Sequence, residues 1–92
     1  LINVEMTHHL YRYFPLLENT ALELDAGSIA DVLHQINQLA PGFTQYILDD
    51  NGALRRHVNI SINNQLLIDR KTLLDKVPDN AKLYIFQSLT GG

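Results

Sequence analysis

Apolar and polar residues alternate at the start of the chain, where Ile2, Val4 and Met6 are separated by Asn3, Glu5 and Thr7. A two-residue period marks a strand with one buried face, so a first strand is expected from Ile2 to His8. The alternation fails between Leu10 and Glu18, a stretch that includes Pro15, and resumes from Ala21 to Leu24 with Leu22 and Leu24 on one face. That predicts a long hairpin loop followed by a second strand. The segment Tyr11-Arg12-Tyr13-Phe14-Pro15-Leu16-Leu17 is unusually apolar for a loop. It either packs over the end of the core, the commoner outcome, or faces a partner.

Asp25-Ala26-Gly27 is turn chemistry, and Ser28 followed by Asp31 has the spacing of a capping box with Asp in place of Glu. A helix is expected to start there. Ile29, Val32, Leu33, Ile36 and Leu39 then form one apolar stripe, with Asp31, His34, Gln35 and Gln38 elsewhere on the helix, and Pro41-Gly42 ends it. Phe43 to Leu48 reads as a second short helical turn that places Phe43, Ile47 or Leu48 in the core before the polar turn Asp49-Asp50-Asn51-Gly52. Val58, Ile60 and Ile62 alternate with Asn59, Ser61 and Asn63 as a third strand. A turn over Asn63-Asn64-Gln65 leads to a return strand from Leu66 to Ile68. Thr72 to Val77 looks like one helical turn, closed by Pro78-Asp79-Asn80, and Lys82 to Leu89 is a final strand with Leu83 and Ile85 facing inward.

Two hairpins flanking one helix form an α+β arrangement, economically a mixed sheet of about five strands with the helix across one face, because the connection through the helix is long enough for a crossover. That arrangement is the β-grasp. Residues 1–92 fit a single domain, with residues 89–92 expected as a flexible C-terminal tail.

Composition narrows the function. Apolar residues make up 46% and charged residues 18% of the chain, which is ordinary for a folded domain. Seven Lys and Arg against ten Asp and Glu leave a formal net charge of −3, without the positive footprint that binds nucleic acid. There is no cysteine, so disulfides, thiolate metal sites and cysteine nucleophiles are excluded. No apolar run approaches the roughly 20 residues that span a bilayer, and a cytoplasmic protein without a membrane partner is expected. His8 and His9, if they sit on a strand, point to opposite faces and do not share a metal; His34 and His57 have no acidic residue at ligand spacing. No phosphate loop or nucleophile elbow is present, so the chain is not expected to be an enzyme or to bind a cofactor of its own.

The final residues, Gly91 and Gly92, are the candidate reactive group. At about 7% glycine per position, a Gly-Gly end arises by chance in roughly one chain in two hundred. Without a β-carbon such a tail threads a narrow channel, and its carbonyl carbon stays open to a nucleophile. A carboxylate is a poor electrophile, but adenylation by a partner using MgATP would make it a mixed anhydride, from which sulfide or a persulfide would displace AMP.

This order of elements, ending in Leu89-Thr90-Gly91-Gly92, resembles the MoaD/ThiS sulfur-carrier family, whose fold is that of ubiquitin. The segment from Leu54 through Arg55, Arg56, His57, Val58, Asn59, Ile60, Ser61 and Ile62 to Asn63 resembles the LRRFVNVYVN pattern of the longer members, among them carriers that feed cysteine biosynthesis. The resemblance implies that Gly92 is adenylated by a ubiquitin-activating-like enzyme, becomes a thiocarboxylate and gives sulfur to a separate synthase in the making of cysteine, molybdopterin, thiamine or a related product. Two departures, Pro78-Asp79-Asn80-Ala81 in place of the usual Asp-Gly-Asp and Gln87-Ser88 in place of a Pro near the end, leave the branch open. A ubiquitin-like modifier conjugated through Gly92 to a lysine would need the same tail, and a plain β-grasp interaction domain would not need it at all.

With Leu83 and Ile85 inward, Tyr84 and Phe86 must lie on the other face beside Asn3, Glu5, Asn59 and Ser61. They either pack on neighbouring strands and the loop around Phe14 or form an apolar docking patch, the reading preferred here, with Leu89 and Thr90 on the same surface. Arg55 and Arg56, with Arg70 and Lys71, would either contact acidic groups on the activating enzyme or sit in a solvated turn.

Overall fold

The computed structural model describes residues 1–18 and 22–87. The opening alternation folds into strand β1 (Ile2–Met6), with Ile2, Val4 and Met6 buried and Asn3 and Glu5 exposed. Strand β1 pairs antiparallel with β2 (Leu22–Leu24) and parallel with β7 (Lys82–Gln87). On its other side β7 pairs antiparallel with β4 (Val58–Ile62), which pairs with the short return strand β5 (Gln65–Leu66). The five-stranded sheet therefore runs β2-β1-β7-β4-β5, with the last strand of the chain at its centre.

Helix α2 (Ile29–Leu39) starts at the predicted capping box. Ser28 Oγ accepts from the Asp31 N–H at 3.1 Å, and the Ser28 N–H donates to Asp31 Oδ2 at 3.1 Å. The next two orphan donors of the first turn are met by a distant segment: the Ile29 and Ala30 N–H groups donate to the Asp75 and Leu73 carbonyls at 2.9 and 3.0 Å. Gly27 is required beside this cap, because a β-carbon there would lie 2.9 Å from Asp31 Oδ2. Ile29, Val32, Leu33 and Ile36 join Leu83, Ile85, Val58 and Ile60 in one core, to which α3 (Phe43–Ile47) adds the buried Phe43 and Ile47. Leu39 does not complete the stripe: it is 50% exposed, and the core continues instead through Ala40.

The structure corrects the expected map in four places. The first strand stops at Met6, and the supposed loop contains helix α1 (His8–Tyr13) and a 3₁₀ turn over Pro15–Leu17. Its apolar residues do pack, with Leu10 and Leu17 buried and Phe14 edge-on to Phe43, whereas Tyr13 and Leu16 are exposed. The hairpin turn is only Asn63-Asn64, both left-handed at φ 50° and 70°, which suits a two-residue turn; Gln65 already belongs to the return strand and Ile68 is 92% exposed. Finally, Thr72 to Val77 is not helical: Lys76–Val77 forms strand β6, paired with β3 (Gly27–Ser28).

Carboxylates explain that last difference. Asp69 accepts from the Lys71 and Thr72 N–H groups at 3.1 and 2.9 Å and from the Thr72 hydroxyl, while Asp75 accepts from the Ile68 N–H at 2.9 Å. These oxygens take the backbone donors a helical turn would have used. Leu73 then adopts φ 58° and points into the core, 2% exposed.

The Asp69 carboxyl is lowered to about 2, chiefly by the Thr72 hydroxyl and then by the Thr72 backbone N–H. A depressed carboxyl contributes stability that is fully present above its ordinary value and lost as pH falls through the folded value. The Asp69→Asn variant is expected to be less stable at neutral pH and to lose less stability than the parent between about pH 4 and pH 2, as read from urea midpoints across that range. A parallel pair of pH profiles would contradict this account of the loop.

Candidate functional site

The candidate site is built on the end of the central strand. Met6 lies opposite Ile85, the Thr7 N–H donates to the Ile85 carbonyl at 3.1 Å, and Val58 lies opposite Gln87. The chain therefore passes beyond Gln87 between the end of β1 and the start of β4. Leu89, Thr90, Gly91 and Gly92 lie outside the described residues.

On the outer face, the period of β7 places Tyr84 and Phe86 side by side with rings 5.2 Å apart and 18° from parallel. Tyr84 sits across from Glu5 and Ser61, and Phe86 across from Asn59, so the pair lies among polar neighbours. Tyr84 is 37% exposed and Phe86 half-buried. Phe14 packs instead on Phe43 and Tyr46, rings belonging to the helix side of the sheet.

The predicted arginines are divided by the structure. Arg55 donates from Nε to the Tyr46 carbonyl and from Nη2 to the Gln45 carbonyl, each at 3.1 Å, so its guanidinium ties α3 to the start of β4. Arg56 is exposed. Arg70 donates to Asn59 Oδ1 and to the Arg55 and Val58 carbonyls at 2.9, 2.8 and 2.9 Å, and thereby braces the strand that flanks Phe86. Lys71 is exposed beside it.

On the inner side of the same strand end is a group of residues the sequence did not single out. Tyr46 packs against Tyr13 with rings 4.8 Å apart, and Tyr13 meets His9 edge-on at 5.5 Å. Tyr46 is raised above the ordinary phenol value, first by burial; a hydrogen bond with Gln87 acts the other way, and Tyr13 adds to the rise. Thr7, His8, His9, Arg12 and Gln87 line an open cleft here. His8 and His9 are on helix α1, not on a strand as expected, so the opposite-faces argument does not apply; on a helix, neighbours in sequence also diverge. Among the described residues, no group of three or more His, Cys, Asp or Glu is arranged to hold a metal ion. No helix among them is long and apolar enough to cross a membrane.

No family model matches the chain, and no curated protein matches it by sequence. Solved structures do match. A chain of the Amycolatopsis orientalis BexX/CysO complex superposes with a TM-score of 0.81 at 16% identity over 100% of both chains. Mycobacterium tuberculosis CysO, described as an antigen, superposes at 0.80 with 17% identity over 97% of this chain and 100% of its own. The H. volcanii small archaeal modifier protein 1 superposes at 0.70 with 15% identity over 96% and 97%. The β-grasp expected from the sequence is thus the observed fold, shared with ubiquitin-like sulfur-carrier proteins.

Because Arg70 holds Asn59 and two carbonyls at once, Arg70→Ala is expected to destabilise the domain by about 2 to 3 kcal/mol. Arg70→Lys should recover little of that loss, since an ammonium cannot reproduce the planar fork. Urea denaturation of both variants measures this, and a lysine variant as stable as the parent would refute the bracing role.

Proposed function

We propose that the chain is a sulfur carrier, a protein co-substrate whose Gly92 cycles between carboxylate and thiocarboxylate. The observation that carries the reading is the end of β7: the central strand leads into the Gly91-Gly92 segment beside a stacked, partly exposed aromatic pair, on a fold shared with CysO. In this reading, a cytoplasmic activating enzyme binds MgATP and the Gly92 carboxylate attacks the α-phosphate, releasing pyrophosphate. Sulfide then adds at the acyl carbon, and AMP leaves with the bonding electrons. The resulting thiocarboxylate is delivered to a separate synthase, and this chain holds no cofactor of its own.

Tyr84, Phe86, Leu89 and Thr90 are assigned to docking on the activating enzyme, with Arg56 and the outer part of Arg55 meeting acidic groups there. The assembly named in the BexX/CysO structure supports a carrier that works in complex with another protein. The likeness to a small archaeal modifier protein keeps a second reading in view, in which the same adenylate is transferred to a lysine amine.

Intact-mass analysis of the protein from its native host is expected to show the chain ending at Gly92, with a fraction carrying one oxygen-to-sulfur exchange there. Isopeptide-linked adducts without that exchange would favour the modifier, and sulfur delivery by a chain lacking Gly92 would sink both. Tyr84→Ser is expected to weaken binding to the activating enzyme by about tenfold while leaving the melting temperature nearly unchanged, measured by calorimetric titration and thermal unfolding. Undiminished binding would remove the aromatic pair from the docking surface.

A further inference from the structure

The cleft on the inner side of the β7 end has an unusual polar inventory. Thr7 Oγ1 and Gln87 Oε1 are both buried and have no hydrogen-bond partner. Unpaired buried oxygens are costly, and two of them lining one cleft indicate a surface completed by something else. Its other lining residues are His8, His9 and Arg12, so no carboxylate lines the cleft, although the chain as a whole carries a net charge of −3. The cleft volume of about 350 Å³ admits a residue-sized group.

The chemistry of the five residues restricts what that group is. Arg12 and the histidine N–H groups favour an anion. A free anion, however, has no donor for Gln87 Oε1, and the Gln87 amide is held on the other side by Tyr46. A peptide N–H supplies that donor, its carbonyl accepts from the Thr7 hydroxyl, and an adjoining acidic side chain meets Arg12. We infer that this cleft binds an acidic loop of a protein partner, by one Glu or Asp side chain together with its own peptide group. The assignment rests on the reading that a partner takes hold of the chain at the root of its tail. It adds a second contact there, on the side of the sheet opposite Tyr84 and Phe86.

The test is an amide-shift titration of the ¹⁵N-labelled full chain with the capped peptide acetyl-Gly-Glu-Glu-Gly-amide, run beside acetyl-Gly-Gln-Gln-Gly-amide and sodium acetate. The acidic peptide is expected to shift amides of Thr7 to Tyr13 and Gln87 and to bind at least about fivefold more tightly than the glutamine peptide. Arg12→Ala, at an exposed position, should weaken it by a similar factor. Thr7→Val should weaken it too while leaving the urea midpoint unchanged or higher, because it removes an unpaired buried hydroxyl; a purely structural threonine would lower the midpoint. Equal binding of the two peptides, the same shifts with acetate, or shifts centred away from Thr7 and Gln87 would each overturn the proposal. The titration requires neither Gly92 nor sulfur, so its failure would leave the carrier function standing, and a chain that never carries sulfur would leave a positive titration standing.

Discussion

The rest of the structure depends on the pairing of β7 with β1 on one side and β4 on the other. The strand that is last in sequence is thereby first in burial: Leu83 and Ile85 are fully enclosed, and hydrogen-bond ladders run along both edges. A strand at the edge of the sheet would fray from its end at little cost, but this one separates only if both ladders and the core open together. The point at which the chain leaves the sheet is therefore as fixed as the fold itself. Such a platform suits a reactive segment that another protein must find in a constant position.

The same pairing decides what surrounds that point. Alternation sends Leu83, Ile85 and Gln87 to the helix side and Tyr84 and Phe86 to the other, and a slip of one residue would exchange the two sets. Burial of Ile60 opposite Ile85 and of Val58 opposite Gln87 prevents the slip. Arg70 adds a lock from outside by gripping Asn59, the cross-strand partner of Phe86. The aromatic pair is thus held by the register of the core and does not rely on a loop conformation.

What the sequence made legible follows from period. The strands Ile2–Met6, Val58–Ile62 and Lys82–Gln87 and the helix Ile29–Leu39 each show their buried face as a repeat, and the opposite placement of Tyr84 and Phe86 follows from the same parity. The capping box at Ser28 and Asp31 was readable because its two bonds are local. Helix α1 was not readable: at six residues it buries only Leu10, too little to show a helical period. The segment after Asp69 was misread because its donors go to carboxylates and its carbonyls to the first turn of α2, a pairing more than forty residues distant in sequence. For the same reason Arg55 and Arg70 looked like surface charges, when their partners are carbonyls that only the folded chain brings near.

A Gly-Gly segment carries almost no identity of its own, since its value lies in having no side chains. If Gly92 is the group a partner activates, discrimination between this chain and another with the same ending has to come from surfaces around the strand end. Here those surfaces lie on opposite sides of one sheet: an apolar pair without charge on the outside, and a polar cleft with Arg12 and two histidines on the inside. One contact of either kind would leave the domain free to rotate about it. Two contacts on opposite sides of β7 would fix both the position of Gln87 and the direction in which the chain continues. The rigidity of the central strand therefore has a use beyond stability, because a two-sided grip orients a tail only if the strand between the two sides does not yield.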